Sequence, residues 1–254
     1  MVDHSNSALD EAFALAVLAF IALTATVSIS AYLRRPRQAG GEGSIILGPA
    51  IRGWYLDNLR PFEELCVQHG ISPTVLSYLQ LGGSLVVGYC YAVGLLFTGG
   101  WLLMFTGTLD MIDGRIARRT NTGSARGAFL DSVVDRYADS LAYLGLAVFF
   151  RDAWVLWPVL FAFLGTLMVS YARARGEGLG VQCKVGMLQR PERYVILGFG
   201  SVFGVLFEHI AGPVAGHSFA LIIVTIVALA VLVNFTAWQR VVYIWRALGE
   251  PPHA

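Results

Sequence analysis

Charge is what this chain of 254 residues has least of. Only 14% of it is Asp, Glu, Lys or Arg, against about 25% in a soluble domain. With 56% hydrophobic residues and a mean hydropathy of +0.63, that shortage excludes an ordinary soluble domain and leaves a membrane protein. Cysteine is scarce too. Cys66, Cys90 and Cys183 stand apart, with no CxxC spacing and no histidine partner, so they read as reduced or buried thiols and not as zinc ligands. His4, His69, His209, His217 and His253 are isolated, and none pairs with a nearby Ser or Cys nucleophile. No groove-binding motif accompanies the basic residues, which flank apolar runs, so nucleic acid is not an expected partner.

Long apolar runs are what the chain has instead. Seven have near-spanning length: 12–33, 73–97, 101–117, 128–150, 153–171, 194–210 and 219–244. Residues 45–70 contain Pro49 and Pro61 and are too polar to span. They fit an amphipathic segment lying on the membrane with Trp54 and Tyr55 at headgroup level, or else a plain connecting loop. With the amino terminus outside, nearly all of the 18 Lys and Arg fall on the cytoplasmic side, Arg151 being the exception. The first run is expected to be a retained helix. Asp3, Asp10 and Glu11 precede it where a signal peptide has basic residues, and Arg34-Arg35-Pro36-Arg37 follows as a stop-transfer sequence. The expected organisation is therefore a transmembrane helix and linker over 1–44 and an all-α polytopic membrane domain over 45–254.

Four of the few charges lie where they are most costly. Asp110, Asp113, Asp131 and Asp135 sit inside apolar runs, where each ionised carboxylate costs a few kcal/mol or more and calls for a compensating cation. Asp110 and Asp113 are i,i+3 and Asp131 and Asp135 are i,i+4, so each pair shares a helix face. The polar loop 119–126 suits antiparallel neighbours whose acidic faces meet. Carboxylate oxygens are hard ligands for Mg²⁺, Mn²⁺ or Ca²⁺. Two such ions can clamp a pyrophosphate, and a carboxylate at the cluster's edge can take a proton from an attacking hydroxyl. Gly114 and Gly127 admit a ligand close to the backbone, and Arg118 is placed for a phosphate oxygen. Two other arrangements use the same acids: an ion network with Arg115, Arg118, Arg126 and Arg136, or a cation path through a transporter.

The whole pattern, Asp110-x2-Asp113-Gly114-x2-Ala117-Arg118-x8-Gly127-x3-Asp131-x3-Asp135, resembles the signature of the CDP-alcohol phosphatidyltransferases at every fixed position. The resemblance extends over about residues 45–246. It implies a six-helix core with a juxtamembrane amphipathic helix, to which the amino-terminal span is an addition. It further implies two Mg²⁺ or Mn²⁺ ions on Asp110, Asp113 and Asp131 with Asp135 near them, and Asp135 as the general base. Gly114, Arg118, Ser124 and Gly127 would meet the CDP moiety of a CDP-diacylglycerol donor. Thr74 and Ser77, at the start of the first core helix, are further nucleotide contacts on the same grounds, although Thr74 stands where relatives often have Asn or Asp. A homodimer is also implied.

The acceptor is read from the stretch 170–193, which concentrates five cations: Arg173, Arg175, Lys184, Arg190 and Arg193. Guanidinium forks suit phosphate oxygens, and the alternative is a loop that sets topology and binds headgroups. The run Ser170-Tyr171-x-Arg173-Ala174-Arg175-x-Glu177, with Arg190-Pro191-Glu192-Arg193 after it, resembles prokaryotic phosphatidylinositol phosphate synthases. That likeness implies inositol 1-phosphate as acceptor, held foremost by Arg173, Arg190 and Arg193. Glycerol 3-phosphate, serine and free inositol stay open.

Overall fold

The computed structural model describes residues 48–212 and 218–249. The expected span at 12–33, and with it the 1–44 unit, lies outside the described residues. Seven helices follow in order: α1 Gly48–Gln68, α2 Pro73–Ala92, α3 Leu96–Arg119, α4 Ala125–Phe149, α5 Leu156–Gly178, α6 Arg190–Ala211 and α7 Ala220–Gly249. Among the described residues α2, α5, α6 and α7 are long and apolar enough to cross a membrane. α3 and α4, of 24 and 25 residues, have the length but carry their acids and arginines at one end. The protein is an all-α, multi-pass membrane protein.

Local sequence explains the boundaries. Ser72 is extended and accepts a bond from Val75 N, and Pro73 follows at the first helical position, so α2 starts there. It stops at Ala92, short of the expected 97, because Gly94 turns the chain with φ +85°. α5 runs past 171 to Gly178, and α6 begins at Arg190 rather than 194. In both cases the helix continues beyond the apolar depth into residues that a hydropathy window excludes. Within that segment Gly48–Gln68 form the helix α1, so the plain-loop alternative falls away for the described residues.

Packing closes a ring. α2 packs on α3 and α4, α4 on α5, α5 on α7, α7 on α6, and α6 back on α3, while α1 lies outside against α3. The expected meeting of the α3 and α4 acidic faces holds, with Asp110, Asp113 and Asp131 brought together, while the main packing of each helix is on α2 behind them. Glycine makes the α2–α4 contact close. A Cβ on Gly145 would lie 2.2 Å from the Gly88 carbonyl oxygen, so neither backbone tolerates a side chain between them. The ring's interior fills with Tyr91, Leu103, Tyr143, Leu146, Leu197 and Leu229, all buried. The carboxy ends of α3, α5 and α7 and the amino ends of α4 and α6 lie together at one end of the bundle, and that end carries the charge.

Candidate active site

The carboxylates converge at the charged end, facing one another across the gap that α2 backs. Asp110, Asp113 and Asp131 each place one oxygen within 4.8 Å of the others. Asp113 is 4% exposed, and Ser77 of α2 donates to its Oδ2 at 2.9 Å. Gln80, one helical turn further along α2, is fully buried. Its Nε2 donates to Asp110 Oδ1 at 3.5 Å and to Asp135 Oδ1 at 3.4 Å, tying α3 to α4. Sequence reasoning missed Gln80. The signal was available, since Ser77 and Gln80 are i,i+3 in an otherwise apolar run and a buried amide demands partners.

The compensating cation comes from a distant segment. Arg190, at the first residue of α6, puts Nη1 2.6 Å from Asp110 Oδ1 and in contact with Asp135 Oδ1. Its Nε donates to Asp139 Oδ1 at 3.2 Å and its Nη2 to Tyr194 Oη at 2.9 Å. Arg193 Nη2 donates to the other Asp139 oxygen at 3.1 Å. Of the alternative network of Arg115, Arg118, Arg126 and Arg136, Arg136 acts electrostatically on Asp131, and the other three do not pair with the acids. Arg115 pairs with Glu63 of α1, Arg118 and Arg126 are exposed, and Arg136 bonds the Ser132 carbonyl.

α7 fixes the approach to Arg190. Thr236 Oγ1 accepts from Leu188 N at 3.2 Å, and Gln239 Oε1 accepts from Met187 N at 3.3 Å. Arg240, 5% exposed, donates to the carbonyls of Val185 at 2.9 Å and Val169 at 2.7 Å. Gly186 crosses over Arg240 with φ +128°, and a Cβ there would lie 2.7 Å from Thr236 Cγ2. The loop 179–189 is thereby fastened to the bundle, and Arg190 inherits its position.

The remaining expected residues surround this centre. Ser124 caps α4 by accepting from Gly127 N at 3.0 Å, and a Cβ on Gly127 would stand 3.2 Å from that hydroxyl. In front of Gly114 only the Arg118 guanidinium lies near, at 3.5 Å from an added Cβ. Thr74 is exposed at the head of α2. Arg173 pairs with Glu177 at 2.8 Å on the surface of α5, and Arg175 and Lys184 are exposed nearby in sequence. Arg190 alone of the five cations touches the signature aspartates among the contacts described. Arg193 is buried one turn behind it.

The sequence model of the CDP-alcohol phosphatidyltransferases matches residues 71–245. The chain belongs to that family. It is 38% identical over 174 residues to the archaetidylinositol phosphate synthase of Methanothermobacter thermautotrophicus, covering 67% of this chain and 83% of the relative. Its fold is similar to the crystal structure of the Mycobacterium tuberculosis phosphatidylinositol phosphate synthase with CDP-DAG bound, at a TM-score of 0.64 and 25% identity over 76% of this chain and 98% of the other. A second structure of that mycobacterial enzyme, in complex with manganese and citrate, matches at a TM-score of 0.63 and 27% identity, covering 73% and 88%. Membership makes this chain a membrane-bound, metal-dependent phosphatidyltransferase and removes the transporter reading. Its residues fit a divalent ion: the donors are all carboxylate oxygens, and Asp131 Oδ1 is buried without a hydrogen-bond partner in the protein.

Proposed function

We propose that this protein transfers a phosphatidyl group from CDP-diacylglycerol to inositol 1-phosphate, releasing CMP. The observation that carries the acceptor is Arg190, which brings a guanidinium from the cationic stretch directly onto Asp110 and Asp135. An acceptor phosphate held there puts its sugar hydroxyls beside the carboxylate that would deprotonate one of them. The names of the two relatives share the inositol phosphate and differ in the lipid, which supports the acceptor more strongly than the donor's chains.

Asp110, Asp113 and Asp131, with Asp135 at their edge, would hold two ions, Mg²⁺ or Mn²⁺. Bound there, such ions would supply charge neutralisation for the pyrophosphate and for the departing CMP phosphate. The acceptor hydroxyl oxygen forms its bond to the β-phosphorus, the bond from that phosphorus to the bridging oxygen breaks, and CMP leaves with that oxygen. Asp135 accepts the hydroxyl proton on a carboxylate oxygen. Gln80 and Arg190 fix the orientation of that carboxylate, and Ser77 fixes Asp113. Gly114, Arg118, Ser124 and Gly127 line the route for the CDP moiety, with Thr74 at its rim. Arg173, Arg175 and Lys184 supply positive field for an anionic acceptor.

The charged end faces the cytoplasm in this reading, since Arg115, Arg118, Arg119, Arg126, Arg173 and Arg175 all lie at that end. The resemblance also carries a homodimer, which the mass of the protein in lipid nanodiscs checks. Glycerol 3-phosphate satisfies the same cations and is the runner-up acceptor. The test offers inositol 1-phosphate, glycerol 3-phosphate, inositol and serine separately with CDP-diacylglycerol, and measures CMP and lipid product together. The reading expects inositol 1-phosphate to be preferred, and preference for any other acceptor contradicts it.

A further inference from the structure

Asp139 lies outside the signature, one turn beyond Asp135 on α4, and is 4% exposed. A carboxylate so deep in the bundle needs cationic partners, and it has two, one on each oxygen: Arg190 on Oδ1 and Arg193 on Oδ2. Arg193 is 3% exposed, its Nε and Nη1 have no protein hydrogen-bond partner, and it lines a small void with Asp139, Tyr143 and Tyr194. Asp139 is the side-chain hydrogen-bond partner described for its guanidinium. On the other side, Arg190 is held along one edge. Nε is on Asp139, Nη2 is on the Tyr194 hydroxyl and the Asp135 main-chain carbonyl, and the Tyr194 ring lies under the guanidinium with 5.0 Å to its centroid. Nη1 is the nitrogen that meets the side-chain carboxylates of Asp110 and Asp135.

We infer that Asp139, neutralised by Arg193, is a positioning residue that aims Arg190 at the acceptor phosphate, and that Arg193 acts through Asp139 without touching the acceptor. The inference rests on the assignment of Arg190 to acceptor binding. A guanidinium has many rotamers, and one fixed by its Nε loses less freedom when it grips a phosphate. Without Arg193, the buried Asp139 charge would draw Arg190 inward, away from the site.

The experiment compares Asp139→Asn, Asp139→Ala and Arg193→Met with the wild-type protein in nanodiscs, measuring KM for acceptor and for CDP-diacylglycerol, kcat, and thermal unfolding. Asp139→Asn keeps an oxygen for Arg190 Nε and removes the charge. It should raise the acceptor KM about tenfold, with kcat and the donor KM moving less than about threefold. Asp139→Ala should exceed it, and Arg193→Met should repeat the selective rise in acceptor KM. If Asp139→Ala does not fold, Asp139→Asn decides. An acceptor KM unchanged in Asp139→Asn, or both KM values rising together, overturns the inference. The wild-type panel separates this outcome from failure of the inositol reading: should another phosphorylated acceptor be preferred, the same ratio is read with that acceptor. Preference for an uncharged acceptor, with no phosphate for Arg190 to hold, overturns both.

Discussion

The two ends of the ring are held by opposite means. At the far end, α2 and α4 touch backbone to backbone through Gly88 and Gly145, and α3 meets α6 where a Cβ on Gly100 would lie 2.7 Å from the Gly198 carbonyl oxygen. Those contacts have no charge and no freedom. At the charged end, α3 and α4 stand apart, and their acids are bridged by Gln80 from α2 and Arg190 from α6. In a lipid environment, where apolar side chains gain little by leaving the acyl chains for one another, close glycine packing supplies the association that keeps the far end fixed. The charged end can then keep a gap lined with carboxylates, because the far end, with Gln80 and Arg190, holds the helices against the acids' mutual repulsion.

That division can be broken from either side. The largest expected effect is Asp135→Asn, which should lower CMP release about a thousandfold while the yield of folded protein and the unfolding temperature hold. A comparable loss of folded protein would mean that the acids also hold the bundle. The mirror case is Gly145→Val. It forces a side chain into the Gly88 carbonyl and should destabilise by about 3 kcal/mol or more, read as lost folded yield in detergent, with turnover per folded molecule unchanged. Next comes Glu63→Gln. Glu63 is buried and its partner Arg115 half-exposed, so the cost should be about 2 kcal/mol, accompanied by proteolytic exposure of α1. Smallest is Ser124→Ala, which removes the α4 cap and should cost about 1 kcal/mol in thermal stability. A rise in KM for CDP-diacylglycerol in the same variant would sharpen the nucleotide assignment.

Much of the site was legible because its residues are forced. Four aspartates in apolar runs have few uses, and their spacing puts each pair on one helix face whatever the tertiary structure. The helices were legible from length and composition, and the cationic stretch pointed to Arg190. The main packing was not. Loop 119–126 suggested neighbours whose acidic faces meet, which they do, but not that α2 packs on both helices behind the acids, because a hydropathy pattern does not register Gly88 against Gly145. Glu63 gave no sign that it takes Arg115 out of the acid cluster, since a partner 52 residues away leaves no local spacing to read. Arg193 resembled Arg190 in sequence, and the distinction between them lies in helical phase: Arg190 faces the gap, while Arg193 turns inward to Asp139.

The central claim is that the aspartates and Arg190 form one site, in which a metal-dependent transfer meets a phosphorylated acceptor. The most direct measurement is CMP release from CDP-diacylglycerol in nanodiscs with inositol 1-phosphate or free inositol, comparing the wild-type protein with Arg190→Ala. The account predicts metal-dependent release that favours inositol 1-phosphate, and loss of that preference in Arg190→Ala. Release that ignores the acceptor's phosphate in both proteins would contradict it.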